Sequence, residues 1–146
     1  MGAKQVALAQ YLECETTDLE QASHDKNLFE FGMESYLILD DDEADKYVQE
    51  RILDDLWAFN TEFVIAHSRI DVDESNEESI TKALKKMQEK LCEDATPIIR
   101  ALLKNEEEFI SDAVEADGRG HFLSGYDNEE NEVSYEDEAY YIYRQN

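Results

Sequence analysis

The sequence has 146 residues, 42% of them hydrophobic, with 37 Asp and Glu against 13 Lys and Arg and a formal net charge of −24. Such a charge excludes direct binding to a nucleic-acid backbone, because that requires Lys and Arg to displace counterions from the phosphates. The apolar runs are far shorter than the roughly 20 residues of a membrane span, and we expect neither a signal peptide nor a membrane partner. Length and apolar content predict a single acidic domain over residues 1–146.

The two cysteines favour a reducing compartment. Cys14 and Cys92 lie far apart in the sequence, and two cysteines do not make a disulfide framework. We therefore expect a cytoplasmic protein. Cys92 follows an apolar helical pattern with Met87 and Leu91, which predicts a buried, unreactive thiol.

The first third of the chain predicts a helix, a hairpin and a second helix. Apolar residues at helical spacing predict a helix over 3–13. Two apolar runs on either side of Gly32 predict a β-hairpin over about 28–39. The acids that follow, residues 40–43, supply an N-cap and the first-turn charges that a helix dipole favours, so a helix should run from about 41 to 58.

The middle of the chain predicts a block of helices. A short helix over 62–67 has Asn60 or Thr61 as its cap, and a longer helix begins between 76 and 79. Pro97 suits the first turn of a helix that continues to about 103. Asn105 should cap the last helix, which Gly118 ends. The residues expected to face inward on the longer helix are Ile80, Ala83, Leu84, Met87 and Leu91.

The C-terminal segment predicts a second hairpin. Its strands are expected at 121–126 and 139–144, with an acidic turn over 127–132. The fold class is therefore α+β: a mainly helical block with two β-hairpins, at about residues 28–39 and 121–144, that form a small antiparallel sheet.

Three segments resemble a known family. The stretch 116–127, with the sequence ADGRGHFLSGYD, the C-terminal YYIYRQN and the block 43–60 are similar to a family of small acidic phage- and plasmid-encoded proteins. The resemblance implies origin on a mobile element and residence in the cytoplasm of a host cell. It implies no catalytic residue.

A glycine-rich motif is the first candidate site. In residues 117–121, two glycines could bring Asp117, Arg119 and His121 into one short loop able to handle an anion or a proton. The structural interpretation is that Gly118 ends a helix in a left-handed conformation, Arg119 pairs with an acid and His121 opens a strand. No nucleophile with a partnered base is identifiable from spacing, which favours a protein that is not an enzyme.

A metal site is the second candidate, and the spacing fits poorly. Asp127, Glu129, Asn131 and Glu138 superficially match a calcium loop, but Glu132 stands where the sharp turn needs Gly. The three histidines show no zinc-like spacing. We therefore expect no cofactor and no metal.

The acidic surface is the third candidate. Acids at i, i+3 and i+4 of a helix stand about 5–6 Å apart, so a folded surface could resemble the charges of a nucleic-acid backbone. The alternative is a surface that serves solubility alone. The candidate partner-binding residues are Asp40, Asp41, Asp42, Glu43, Asp45, Glu106, Glu107, Glu108, Asp117, Arg119, His121, Glu129, Glu130, Glu132, Glu136, Asp137 and Glu138.

Two functional hypotheses follow. In the first, the protein is a non-enzymatic inhibitor that mimics nucleic acid and occupies a basic, nucleic-acid-binding protein of the host. In the second, it is a structural or assembly protein of a phage particle that self-associates, for example as a homodimer, through exposed aromatics near Tyr140, Tyr141 and Tyr143. An edge strand there would expose Tyr141 and Tyr143 on one face, opposite Tyr140 and Ile142. A further hypothesis places the one lysine-rich helix face beside an acidic segment; its members are Lys82, Lys85, Lys86 and Lys90.

Overall fold

The α+β prediction is confirmed. A computed structural model describes residues 2–146, which form seven α-helices and one five-stranded antiparallel sheet. Their contacts group into two compact units, one of Met1–Val48 with Asp117–Asn146 and one of Gln49–Ala116. We refer to them as the sheet unit and the helical unit. The prediction of a single domain stays a prediction.

The sheet unit contains all five strands, in the order β1-β2-β3-β5-β4. Every neighbouring pair is antiparallel, so β5 lies inside the sheet while β1 and β4 are its edges. The elements are α1 Ala3–Leu12, β1 Glu20–Gln21, β2 Leu28–Phe31, β3 Glu34–Leu39, the start of α2 Asp41–Asp54, α7 Arg119–Leu123, β4 Asn131–Tyr135 and β5 Glu138–Arg144.

The core on one face of the sheet forms because side chains alternate along each strand. Alternate residues of β3 and β5, among them Ile38, Tyr140 and Ile142, are buried in a cluster with residues of α1. The residues between them, such as Leu37, Leu39 and Tyr143, are also buried. Both faces of the central strands are therefore covered, and the sheet can hold side chains rigidly on either side.

The second hairpin is displaced from its predicted position. The prediction of a strand at 121–126 is wrong: residues Arg119–Leu123 form α7, and the hairpin strands are β4 and β5. Gly118, at φ +83°, ends α6 and lets the chain begin a new helical turn at once. The hairpin turn lies at Glu136 and Asp137, both with positive φ, as a tight two-residue turn requires.

The helical unit follows the predicted order of helices. After a 3-10 turn at Leu56–Ala58 come α3 Thr61–Ala66, α4 Glu77–Leu91, α5 Thr96–Leu102 and α6 Glu106–Asp117. The side chain of Asn60 accepts a hydrogen bond from the Phe63 N–H, and Asn105 accepts one from the Glu108 N–H, which confirms both predicted caps. Helix α2 ends at Asp54, earlier than the predicted residue 58.

Three predictions of burial, in α4 and directly after it, are wrong. Cys92, Leu91 and Ala83 are all exposed. The helix ends at Leu91, and Cys92 takes a positive φ of +50° where the chain turns away. The apolar periodicity of α4 therefore stops before the cysteine, and the thiol lies outside the core.

No helix within residues 2–146 is both long and apolar enough to cross a membrane.

Candidate functional site

The net negative charge is larger in the sheet unit than in the helical unit. This unit holds 20 of the 37 acidic residues but only 5 of the 13 basic ones. Self-repulsion at this density weakens a compact state unless the few cations are well placed. The positions of the basic side chains therefore bear directly on the stability of this unit.

Of the basic side chains of the sheet unit, Arg119 forms the most ion pairs. Its Nη1 donates to Asp41 Oδ1 at 2.9 Å and to Asp45 Oδ1 at 3.0 Å, and its Nε donates to Glu130 Oε1 at 2.8 Å. The Arg119 side chain is only 12% exposed, whereas those of Asp41 and Asp45 are 65% and 67% exposed. A part-buried cation thus fixes one oxygen of each of these carboxylates, which remain largely open to solvent.

Two tyrosines of β5 support Arg119. The guanidinium carbon lies 4.7 Å from the centre of the Tyr141 ring, within the range of a cation–π contact. Tyr143, fully buried, donates its hydroxyl hydrogen bond to Glu130. Burial, and then this hydrogen bond, raises the pKa of Tyr143 above its usual range. Burial alone would lower the pKa of Arg119, but its bonds to Glu130 and Asp41 raise it overall, so the guanidinium stays charged.

Local structure explains why these groups meet. Asp41 and Asp45 are four residues apart on α2 and so share one helix face, with a rise of about 6 Å between them. Gly120 allows α7 to approach the chain at 128–130, since a Cβ there would lie 2.5 Å from the Asn128 carbonyl oxygen. This close approach brings Arg119 to Glu130.

We define the Arg119 face as the four carboxylates around this guanidinium: Asp41, Asp45, Glu130 and Glu132. Glu132 is exposed on β4 and pairs across the strands with Tyr141, the residue beneath Arg119. One arginine cannot neutralise four carboxylates, so the face keeps a negative charge. Its chemistry suits the binding of cations, and no nucleophile takes part in it.

Other predicted partner-binding residues of the sheet unit have different roles. Asp40 and Glu43 exchange hydrogen bonds as a capping box at the start of α2. Glu43 also binds Lys4 Nζ at 2.7 Å, and although burial alone would raise the pKa of Glu43, this bond contributes to lowering it. The remaining acids are exposed: Asp42, Asp117, Glu129, Glu136, Asp137 and Glu138.

The acids of α6 belong to the helical structure. Glu106 is bound by Arg100, whose Nε donates to Glu106 Oε1 at 2.7 Å. Glu107 and Glu108 are exposed in the first turn, where the helix dipole favours them.

The glycine motif does not form the predicted anion- or proton-handling loop. Among the described residues, no hydrogen bond joins Asp117, Arg119 and His121, and Arg119 is committed to other acids. The structural interpretation is confirmed for Gly118, which has positive φ, and for Arg119. It is wrong for His121, which is exposed on α7 and does not open a strand.

The predicted self-association strand is wrong in two respects. Tyr140 is 8% exposed and Tyr143 is fully buried, so neither is available to a second copy. Strand β5 also lies between β3 and β4, where both of its edges are already paired. The edge strands are β1 and β4, and on β4 the side chains of Glu132 and Ser134 are exposed.

A histidine–carboxylate pair in the helical unit was not predicted. His67 Nε2 lies 2.8 Å from Asp112 Oδ2, and Nδ1 lies 2.9 Å from the Phe63 carbonyl oxygen. Both partners accept, so the doubly protonated ring satisfies both bonds. Burial alone would lower the pKa of His67, but the bond to Asp112 raises it overall. With both nitrogens engaged, the ring has none free to act as a general base.

Within residues 2–146, no group of three or more His, Cys, Asp or Glu is placed to hold a metal ion. The calcium-loop candidates Asp127, Glu129, Asn131 and Glu138 are therefore not gathered into a site.

Only part of this arrangement had a signal in the sequence. The four-residue spacing of Asp41 and Asp45 was visible, and so was the alternation that puts Tyr141 and Tyr143 on one face of a strand. Nothing in the spacing indicated that α7 would bring Arg119 to α2.

Comparison with family models, curated proteins and solved structures finds no match to this chain. The resemblance to acidic phage and plasmid proteins stays a prediction.

Proposed function

We propose that the protein is a non-enzymatic binding protein whose acidic surface, centred on the Arg119 face, occupies a basic surface of a nucleic-acid-binding protein. The observation that carries this proposal is the geometry of the face: a part-buried arginine, supported by Tyr141 and by the Tyr143–Glu130 hydrogen bond, binds Asp41 and Asp45, which stay exposed. A charged surface that serves solubility alone needs no such support.

The spacing of the charges suits mimicry of a nucleic acid. The rise of four helical residues separates Asp41 and Asp45 by about 6 Å, and Glu130, the residue before β4, is two residues from Glu132, at most about 7 Å along the chain. Carboxylates at these intervals offer a basic protein regularly spaced negative charges. Since the whole chain carries −24, association should be fast and salt-sensitive.

The α6 acids and the turn at 136–138 each remain predicted partner-binding residues. A phage or plasmid origin and a cytoplasmic location complete the proposal, with inhibition of a host protein as the consequence. The second hypothesis, a phage structural protein, has less support because the tyrosines that would pair copies are covered.

The test is capture followed by displacement. Immobilised protein is incubated at low salt with a nuclease-treated bacterial lysate, and bound proteins are eluted with duplex DNA or with salt. We expect basic nucleic-acid-binding proteins in both eluates. Capture that duplex DNA cannot displace, or that salt does not weaken, would overturn the proposal.

A further inference from the structure

A cleft in the helical unit has none of the acids of the Arg119 face in its lining. Its volume is about 390 Å³. One side is the turn and the start of α3, residues 57–62, and the other is one face of α4. The residues that matter for its chemistry are Trp57, Phe59, Glu62, Lys85 and Glu89.

A buried glutamine builds this cleft. Gln88, 6% exposed, donates from Nε2 to the carbonyl oxygens of Trp57 at 3.0 Å and Phe59 at 2.8 Å. Its Oε1 accepts a hydrogen bond of 2.7 Å from the Thr61 hydroxyl. Three hydrogen bonds of one side-chain amide, two donated and one accepted, thus fix the aromatic wall to α4. The cleft is part of the folded structure and does not depend on a mobile loop.

The charges at the cleft favour a cation. Glu62 and Glu89 are exposed, and neither forms an ion pair with any described residue. Lys85 supplies one positive charge against these two, in a chain whose total is −24. An anionic ligand would be repelled, whereas a cation would gain from both carboxylates.

We propose that this cleft takes an arginine side chain of the basic partner. A guanidinium is planar, stacks on aromatic rings and can donate to two carboxylates, so it matches Trp57 together with Glu62 and Glu89. This inference rests on the proposed function and adds a second contact with a different chemistry. The Arg119 face attracts a basic surface by charge, whereas the cleft adds an aromatic ring on which a guanidinium can stack.

Trp57 makes the test direct because it is the only tryptophan of the chain. The full-length protein is titrated, at constant ionic strength, with acetyl-Gly-Arg-Gly-amide while Trp57 fluorescence is recorded. Peptides with citrulline, which is neutral, or glutamate in place of arginine are the comparison probes. We expect a saturable change with arginine, and little with either of the others.

The matched variants separate local from overall charge. Glu62→Gln with Glu89→Gln should weaken arginine binding about fivefold, the size expected for two exposed charge pairs. Asp94→Asn with Glu115→Gln removes the same charge from exposed positions outside the cleft and should leave binding unchanged. Lys85→Gln should strengthen binding by about twofold, a gain that misfolding cannot produce.

The contrary outcomes are distinct from failure of the proposed function. The cleft proposal is overturned if arginine gives no saturable change, if the citrulline or glutamate peptide binds as well, or if both double variants weaken binding equally. DNA-displaceable capture of basic proteins would then persist unchanged. Loss of that capture, with arginine binding intact, would instead overturn the proposed function and leave the cleft as a site for arginine alone.

Discussion

The two units of this protein contain similar acids but arrange their cations differently. In the sheet unit, Lys4, Arg119 and Arg144 are part-buried, and Arg119 binds three carboxylates at once. In the helical unit, Lys82–Glu78 and Arg100–Glu106 are exposed pairs between residues close in sequence. Exposed pairs contribute little, whereas a buried cation fixes the groups around it. The sheet unit can therefore present carboxylates at set positions.

The largest effect should come from closing the approach of α7 to the chain at 128–130. In Gly120→Ala, the new Cβ would meet backbone atoms at 2.5–2.8 Å, and backbone cannot move aside as a flexible side chain can. We expect a loss of about 2–3 kcal/mol in the free energy of unfolding, measured by urea denaturation. Gly2→Ala, where nothing lies within 4 Å, is the control. Equal stability of the two variants would mean that the close approach does not constrain the sheet unit.

Removing Arg119 should show most clearly that the two units depend differently on their cations for stability. Arg119→Gln leaves three carboxylates without their shared partner and should cost about 2 kcal/mol at low salt. Arg100→Gln, at the exposed pair of the helical unit, should cause a change within the error of the same melt. If the two variants lose the same stability, the contrast drawn between the units is wrong.

The hydrogen bond from Tyr143 to Glu130, beneath the Arg119 face, can be tested by removing one hydroxyl group. Tyr143→Phe removes the hydroxyl that donates to Glu130 and leaves the buried ring in place. We expect a loss of about 1 kcal/mol in unfolding free energy. Tyr126→Phe, at an exposed tyrosine, is the matched control and should have no effect. If Tyr143→Phe leaves the free energy of unfolding unchanged, Glu130 is held by Arg119 alone.

The helical unit should show the pH dependence of its His67–Asp112 pair. The folded pKa of His67 is raised, so the pair's contribution to stability is fully present below the unfolded pKa, near 6.5, and is lost as pH rises through the folded pKa. Melting curves across this range should show that step in the native protein. Asp112→Asn should flatten it, and a step of unchanged size in that variant would assign it to another group.

The lysine face should have the smallest effect. Lys82 pairs with Glu78 of its own helix, while Lys85, Lys86 and Lys90 form no ion pair with any described residue. Replacing all four with Gln should lower the melting temperature slightly at low salt, with partial recovery on adding salt. Recovery on adding salt would show that the loss of stability is electrostatic. Unchanged melting curves would mean that these charges relieve no repulsion.

The sequence predicted the helices and strands better than the contacts between them. Helix caps at Asn60 and Asn105 and the first hairpin depend on local chemistry, which neighbouring residues determine. The strand expected at 121–126 failed because an apolar run beside two glycines fits a strand or a short helix equally well. In the fold, the close packing at Gly120 accompanies the helical form.

The candidate site was predictable in its charge but not in its organisation. The acids of α2 and β4 were among the predicted partner-binding residues, and their exposure depends only on local amphipathic pattern. The contact between Arg119 and Asp41 joins residues 78 positions apart, so it depends on the path of the whole chain. The cleft at Trp57 likewise requires Gln88 to bond residues about 30 positions earlier.

The central claim is that the Arg119 face is the principal binding surface for a basic protein. A captured, DNA-displaceable protein is titrated with the native chain, with Asp41→Asn, Asp45→Asn and Glu132→Gln combined, and with Glu93→Gln, Asp94→Asn and Glu115→Gln combined. Both triple variants lose three negative charges, so overall attraction changes equally. The claim predicts that the first variant binds at least about tenfold more weakly than the second, as three lost contacts of about 0.5 kcal/mol each would give. Equal weakening of the two would contradict it.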